Sequence, residues 1–226
     1  MRSPSGIADA DLSTRARVRQ AAIARFGRDG FGVGLRAIAH DAGVSAASIV
    51  KLFGSKEALR AACDEHVFAI IRDSKRSVVA DRAGAPGAFL GQLARMAEYR
   101  PLITYVLRSL QDGGAAARSF VDHMVTDALD YVREGVTAGL IVPSRDEEAR
   151  IRFLIGATLG ALLLEVSTAH DPAALETDEF WERALGQLTL PALELYTEGF
   201  LTDRSLLETY LLYIPDPPGQ PAGQTA

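Results

Sequence analysis

Little in this sequence is spaced for bond-breaking chemistry. His40, His66, His123 and His170 stand far apart, with no spacing that would gather them around a metal ion. No nucleophile elbow and no His-Glu-x-x-His pair is present. Gly30-Phe31-Gly32-Val33-Gly34 has the glycines of a phosphate cradle, but it follows a helical pattern and lacks the closing Lys-Ser/Thr. Asp146, Glu147 and Glu148 cluster where a helix opens, and a helix N-terminus favours negative charge. A non-enzyme with no cofactor and no metal is expected. The stretch from Leu35 to Leu59 instead carries the pattern of duplex recognition: two short helices, a glycine turn, an aromatic closure and a freshly capped third helix. Such a unit presents its second helix to a DNA major groove.

The elements that position that helix can be read from spacing. Leu35, Ile38, Ala39 and Ala42 fall at i, i+3, i+4 and i+7, one apolar face of a helix. Gly43 ends it, Val44 plugs the angle, and Ser45 caps the next helix, which runs from about Ala46 to Phe53 with Ile49, Leu52 and Phe53 inward. Gly54 stops that helix and Ser55 caps a longer one from Lys56 to about Ala80. Upstream, Thr14 is the expected cap of a helix striped by Val18, Ala21, Ala22 and Phe26 and stopped at Gly30, with Phe31 packing back on it.

Charge is unevenly spread. The chain of 226 residues has a net charge of −5, yet residues 12–61 hold nine Lys/Arg against three Asp/Glu, while residues 62–226 hold fourteen against twenty-four. A basic head on an acidic body steers a polyanion to one end. Cys63 is the one cysteine, which excludes a disulfide framework and reads as a small core residue sooner than as a redox sensor. The longest uncharged apolar run, Phe153 to Leu164, has twelve residues, short of the ~20 a bilayer needs. With no signal peptide visible, a soluble cytoplasmic protein is expected.

The remainder reads as helix throughout, with no strand and no repeat. Helices are expected at about 88–99, 101–113, 115–140, 145–170, 178–199 and 203–213, with a break at 81–87 and a kink or a lost hydrogen bond at Pro191. Residues 1–11 read as a flexible arm and residues 215–226 as a disordered tail. The fold class is all-α, with a three-helix head over about 12–72 and a helical body over 73–214.

Residues 12–72 resemble the TetR family of bacterial transcriptional regulators. The resemblance rests on Ala22, Phe26, Gly30, Phe31, Ile38, Ala39, Ala42, Gly43, Val44, Ser45, Phe53, Ser55, Lys56, Glu57 and Leu59 at the family's spacing. It implies a homodimeric regulator, a repressor released from double-stranded operator DNA when a small organic effector enters the helical body. The last two long helices, about 145–170 and 178–200, would pair with their copies as a four-helix bundle. Gly156, Ala157, Gly160 and Ala161 would let backbones approach there, although a helix so apolar also fits the centre of one subunit.

The chain departs from the family at its contact surface. Gly34 stands where a hydroxyl usually opens the second helix, Ala46 where a basic residue is frequent, and Val50 and Leu52 where an aromatic residue usually reaches phosphate. Phosphate binding is therefore expected to shift to Arg36, Lys51 and Lys56. Ser45 opens the recognition helix, and Ala46, Ala47 and Ser48 would face base edges, with alanine methyls suited to a thymine methyl. Each of these residues also fits a solvated surface. A helical ligand carrier with weakened DNA binding is the alternative reading.

For the effector, the resemblance points to inward-facing positions of the body: Phe89, Met96, Tyr99, Tyr105, Phe120, His123, Met124, Glu165 and Trp181. The apolar ones fit ordinary core equally. His123 and Glu165, as polar groups among apolar neighbours, need a partner. That partner is a ligand or each other's kind, a His–carboxylate pair closing the core. No arginine cluster awaits a phosphate, so an amphipathic or aromatic effector is expected.

Overall fold

The computed structural model describes residues 4–79, 84–94, 96–169, 175 and 177–213, without the side chains of 4–12, 92–94, 96 and 97. The expected tail over 215–226 lies outside them. The described residues hold ten α-helices and no strand. They fall into two compact units, Met1–Val142 and Pro143–Ala226.

The first unit contains α1 (Pro4–Asp29), α2 (Leu35–Ala42), α3 (Ala46–Phe53), α4 (Lys56–Val79), α5 (Ala85–Ala94), a 3-10 turn (Met96–Tyr99), α6 (Arg100–Gln111) and α7 (Gly114–Thr137). Val18, Ala22 and Phe26 of α1, Ile38 of α2, Ile49 of α3 and Leu59 of α4 are each wholly buried and form the centre of the head. Each large apolar side chain so enclosed contributes about 1.5–3 kcal/mol. Gly43 closes α2 in the left-handed region at φ 64°, which a Cβ would oppose. Ser45 then starts α3 by accepting from the Ser48 amide at 3.0 Å, and Ser55 starts α4 by accepting from the Ala58 amide at 3.0 Å.

Three expectations are corrected here. Helix α1 already runs from Pro4, so residues 4–11 are helical where an arm was expected and Thr14 lies inside the helix, not at its cap. The run Ile7–Leu12 has no proline or glycine to stop it and is rich in alanine, the strongest helix former. Helix α5 begins at Ala85, three residues early, with Pro86 in its first turn, where a missing N–H costs nothing. The division near residue 72 is absent, because α4 passes straight through it, α6 lies along α1, and α7 along α4. The compact units part instead at Val142.

The second unit holds α8 (Glu147–Thr168), α9 (Asp178–Thr197) and α10 (Ser205–Leu211). Asp146 caps α8 by accepting from the Ala149 amide at 2.9 Å, and Glu147 reaches back to the Ser144 amide at 2.8 Å, the reciprocal arrangement of a capping box. Thr177 caps α9 through the Phe180 amide at 3.3 Å. Pro191 sits within α9, and the helix continues through it. Although its longest uncharged run is short, the 22-residue α8 contains an 18-residue stretch with a mean hydropathy of 1.5, long and apolar enough by composition to cross a membrane, and 11 % of that stretch is buried. The twelve-residue run underestimated it, because the helix extends its apolar character past Arg152 and Glu165.

Candidate nucleic-acid interface

The recognition unit is held by α1. Arg25 forks onto Asp41 of α2, with Nε to Oδ2 at 2.6 Å and Nη2 to Oδ1 at 2.9 Å, and its Nη1 reaches Asp29 at 2.8 Å. Two parallel bonds fix the angle between α1 and α2 as well as their distance. The hydrogen bond from Arg25 holds the Asp41 carboxyl down to about 2. Arg15 donates to the Leu52 carbonyl at 2.6 Å and stacks over Phe53 at 4.5 Å, pinning the last turn of α3. Arg60 of α4 lies 3.5 Å over the Phe31 ring and bonds Asp112 at 2.9 Å.

Part of the head's positive charge is thus engaged by partners within the protein. Arg36 of α2 and Lys51 of α3 are exposed and make no hydrogen bond or ion pair among the described residues. Lys56 is half-buried in the first turn of α4. On α3, Ala47, Val50 and Lys51 are exposed, Ala46 and Ser48 half-buried, and Ile49 and Phe53 buried. Ser45 is exposed, and its Oγ lies 2.8 Å from the Ser48 Oγ. Gly34 precedes α2 with no side-chain cap, as its lack of a hydroxyl requires.

Sequence reasoning missed Arg15, Arg25, Arg60 and Asp41. Their partners lie 16 to 52 positions away in the chain, and no periodicity encodes which arginine finds one. Cys63 is wholly buried, its thiol pushed up to about 12 chiefly by burial, and is chemically quiet.

The effector candidates are dispersed. Phe120 of α7 packs on Phe68 of α4 at 4.5 Å, and His123 stacks on the same ring at 4.1 Å. His123 was expected as a polar group buried among apolar ones. It is instead about half exposed, 3.9 Å from an Asp127 that Arg72 already bonds at 3.0 Å. Position 123 lies on the flank of α7, a turn from the buried stripe of Phe120, Val125 and Ala128. Tyr105 is buried, meets Phe31 edge-on at 5.5 Å and donates to Asp64 at 2.6 Å. Phe89, Tyr99 and Met124 are half-buried, and the Met96 side chain lies outside the described residues. In the second unit Glu165 is half-buried, while Trp181 is buried and donates to the Leu175 carbonyl at 2.8 Å. Phe120 and His123 are brought together around Phe68, and Tyr105 and Trp181 satisfy their polar atoms within the chain.

Two family models match the chain: "Bacterial regulatory proteins, tetR family" over residues 18–63, which is the unit just described, and "Tetracyclin repressor-like, C-terminal domain" over residues 97–202. The regulatory protein RaaS of Mycobacterium tuberculosis, of helix-turn-helix type, is 46 % identical over 202 residues, 89 % of this chain and 93 % of the relative. The chain belongs to the TetR family of transcriptional regulators. A solved TetR-family regulator from Mesorhizobium loti shares the fold, with a TM-score of 0.51 at 19 % identity over 78 % of this chain and 97 % of that one. In this family setting, the unit α2–α3 is the DNA-binding part of a transcriptional regulator.

Proposed function

We propose that this TetR-family regulator is a cytoplasmic homodimeric repressor, released from its operator when a small organic molecule binds in the helical body. The observation that carries the dimer is the outer surface of α8 and α9. Phe153, Ala157, Gly160 and Leu164 are all exposed at spacings of four, three and four, as are Gly186, Leu190, Leu193 and Thr197. That alternation is the seam of a helix bundle. A Cβ at Gly156 or Gly160 would meet open space within 4 Å, so this side has room for a second backbone.

Exposed rings on α8, on α9 and beyond α9 add to the apolar surface of the second unit. Phe153 is 72 % exposed, Tyr196 54 %, Phe200 87 %, Tyr210 61 % and Tyr213 82 %. These five rings alone expose about 500–900 Å2 at the usual area of an aromatic side chain. One partner of a standard interface contributes ~800 Å2. Because the family model for the C-terminal domain runs through α8 and α9, a second copy accounts for this face better than a bilayer does. A dimer also gives two heads for a two-fold symmetric operator.

In the proposed release, the effector favours a spacing of the heads that no longer fits successive major grooves. Helix α4 is the lever. Its far half is tied to α7 by Phe68–Phe120, by Arg72–Asp127 at 3.0 Å and by Arg76–Glu134 at 3.2 Å, so a shift of α7 must move α4. Phosphate contacts fall to Arg36, Lys51 and Lys56, with Ser45, Ala46, Ala47 and Ser48 at the groove.

Sedimentation of the intact protein and of Phe153→Asp tests the dimer: two copies at micromolar concentration for the first and one for the second. A monomeric parent overturns it, and sedimentation only with detergent or vesicles points to the bilayer. A mobility-shift titration on the protein's own promoter region, with candidate aromatic ligands, tests release. A ligand that binds the body and leaves DNA affinity unchanged overturns that mechanism.

A further inference from the structure

The eight residues of α3, Ala46-Ala-Ser-Ile-Val-Lys-Leu-Phe53, contain no Arg, Asn, Gln, Asp, Glu or His. Most of the side chains that read base edges through paired or directed hydrogen bonds are thus missing, and only Lys51 and Ser48 remain. The hydroxyls that remain are engaged at the helix start. Ser45 Oγ accepts from the Ser48 amide at 3.0 Å and pairs with Ser48 Oγ at 2.8 Å. Two hydroxyls in mutual contact keep a single proton between them to offer elsewhere. Lys51 contributes a rotatable point charge, suited to a phosphate and poorly suited to telling one base from another.

What α3 does present is apolar. Val50 is 47 % exposed on a helix whose inward side already has Ile49 wholly buried and Phe53 at 8 %. It stands one turn from Ala46 and Ala47 and next to Lys51, on the flank of the buried side. Where the resemblance places a phosphate-reaching aromatic residue, position 50 has a β-branched side chain with no hydrogen-bonding atom, about half of it in water at the middle of the helix presented to DNA. In the major groove, the apolar feature available to it is the thymine C5-methyl.

We infer that α3 reads its operator by methyl contact, with Val50 as the specificity-determining residue, Ala46 and Ala47 as its flanks, and thymine as the base it selects. This rests on the DNA-binding reading of the head and goes beyond it by naming the feature recognised. Each methyl enclosed against Val50 or an alanine is a burial of one apolar carbon, worth about four-fold in affinity.

The test selects binding sites from a random duplex pool with the full-length protein. It then replaces each thymine of the enriched half-site by deoxyuridine, which removes the methyl and nothing else. The expected result is a half-site with thymines in its core, about a four-fold loss of affinity per critical replacement, and no loss for replacements outside the half-site. In Val50→Ala the penalty at the position facing residue 50 disappears while the others persist. Position 50 is exposed and alanine is the better helix former, so the head stays folded, which near-unchanged thermal melting confirms. A half-site without thymine, or a deoxyuridine site bound as tightly as the parent, overturns methyl readout and leaves DNA binding standing. An identical penalty in Val50→Ala overturns the assignment to Val50. Failure to enrich any sequence overturns both methyl readout and the DNA-binding reading beneath it.

Discussion

Tyr105 of α6 donates its hydroxyl to Asp64 of α4 at 2.6 Å while its ring edge meets Phe31, the residue that closes α1 against the recognition unit, at 5.5 Å. One side chain therefore touches the lever and the head together. Arg108, one turn further along α6, donates to the Arg28 carbonyl at 3.1 Å at the end of α1. Head and α6 form a continuous packed body, so any displacement of α6 is felt by α1 and α4 at once.

Removing that hydroxyl should be costly and pH-dependent. Burial holds the Asp64 carboxyl above its ordinary range, against the downward pull of the Tyr105 hydrogen bond and then of Arg60. In Tyr105→Phe the pull is lost, the carboxyl rises further, and a part-buried acceptor is left without its donor at a cost of about 1–3 kcal/mol. A carboxyl raised in the folded state binds more protons there than in the unfolded chain. Its contribution is complete below the unfolded value of ~3.9 and is lost as pH climbs through the folded one. Urea unfolding from pH 4 to 8 should show stability falling with pH more steeply in Tyr105→Phe than in the parent.

The Arg25–Asp41 fork makes the opposite pH prediction. Here the carboxyl is depressed to about 2, first by the Arg25 hydrogen bond. Its contribution is present above the unfolded value of ~3.9 and is lost as pH falls toward the folded one. Asp41→Asn should lower the urea midpoint at pH 7 and flatten the decline between pH 4 and 2. An unchanged acid limb would show that the fork does not hold α1 to α2 in solution.

The two charge relationships differ in how far the sequence anticipates them. Helix ends around the recognition unit were legible because each is local: Gly43, Ser45, Gly54 and Ser55 act on backbone groups within a few residues. The apolar character of α8 was legible for the same reason, while the exposure of Gly156 and Gly160 was not, since so apolar a helix also fits the centre of one subunit. What the sequence could not supply was the long-range pairing that decides which charges remain free. Nine cations in the head look equivalent as letters, yet Arg15, Arg25 and Arg60 find partners elsewhere in the chain while Arg36 and Lys51 find none among the described residues. The division of the chain was misplaced on similar grounds. A boundary near residue 72 follows from motif coverage, whereas the packing of α6 on α1 is a contact between segments some 80 positions apart.

That α1–α6 contact depends on one glycine. A Cβ at Gly27 would stand 2.8 Å from Thr104 Oγ1 and 3.0 Å from the Tyr105 amide nitrogen, closer than packed atoms tolerate. Gly27→Ala should gain about 1 kcal/mol of helix propensity and lose more than that as α6 is pushed outward, for a net destabilisation of about 1–2 kcal/mol. Gly32→Ala is the control, since nothing lies within 4 Å of a Cβ there, and it should leave the melting temperature unchanged or slightly raised. Thermal melts of both variants check the contrast, and equal shifts would mean that α1 and α6 are not in close contact.

Arg36 and Lys51 should set the salt dependence of DNA binding, because they are the exposed head cations on α2 and α3 with no partner among the described residues. Each phosphate contact releases counterions and adds about 0.9 to the slope of log K against log salt. Arg36→Ala and Lys51→Ala should each lower that slope by about 1 and weaken binding to specific and non-specific duplex alike, leaving sequence preference intact. Arg25→Ala removes the same charge from a residue that faces Asp41. It should reduce affinity only through looser placement of α2, with the slope nearly unchanged. Fluorescence anisotropy between 50 and 200 mM salt separates the two behaviours. An unaltered slope in both Arg36→Ala and Lys51→Ala would move the phosphate contacts elsewhere on the head.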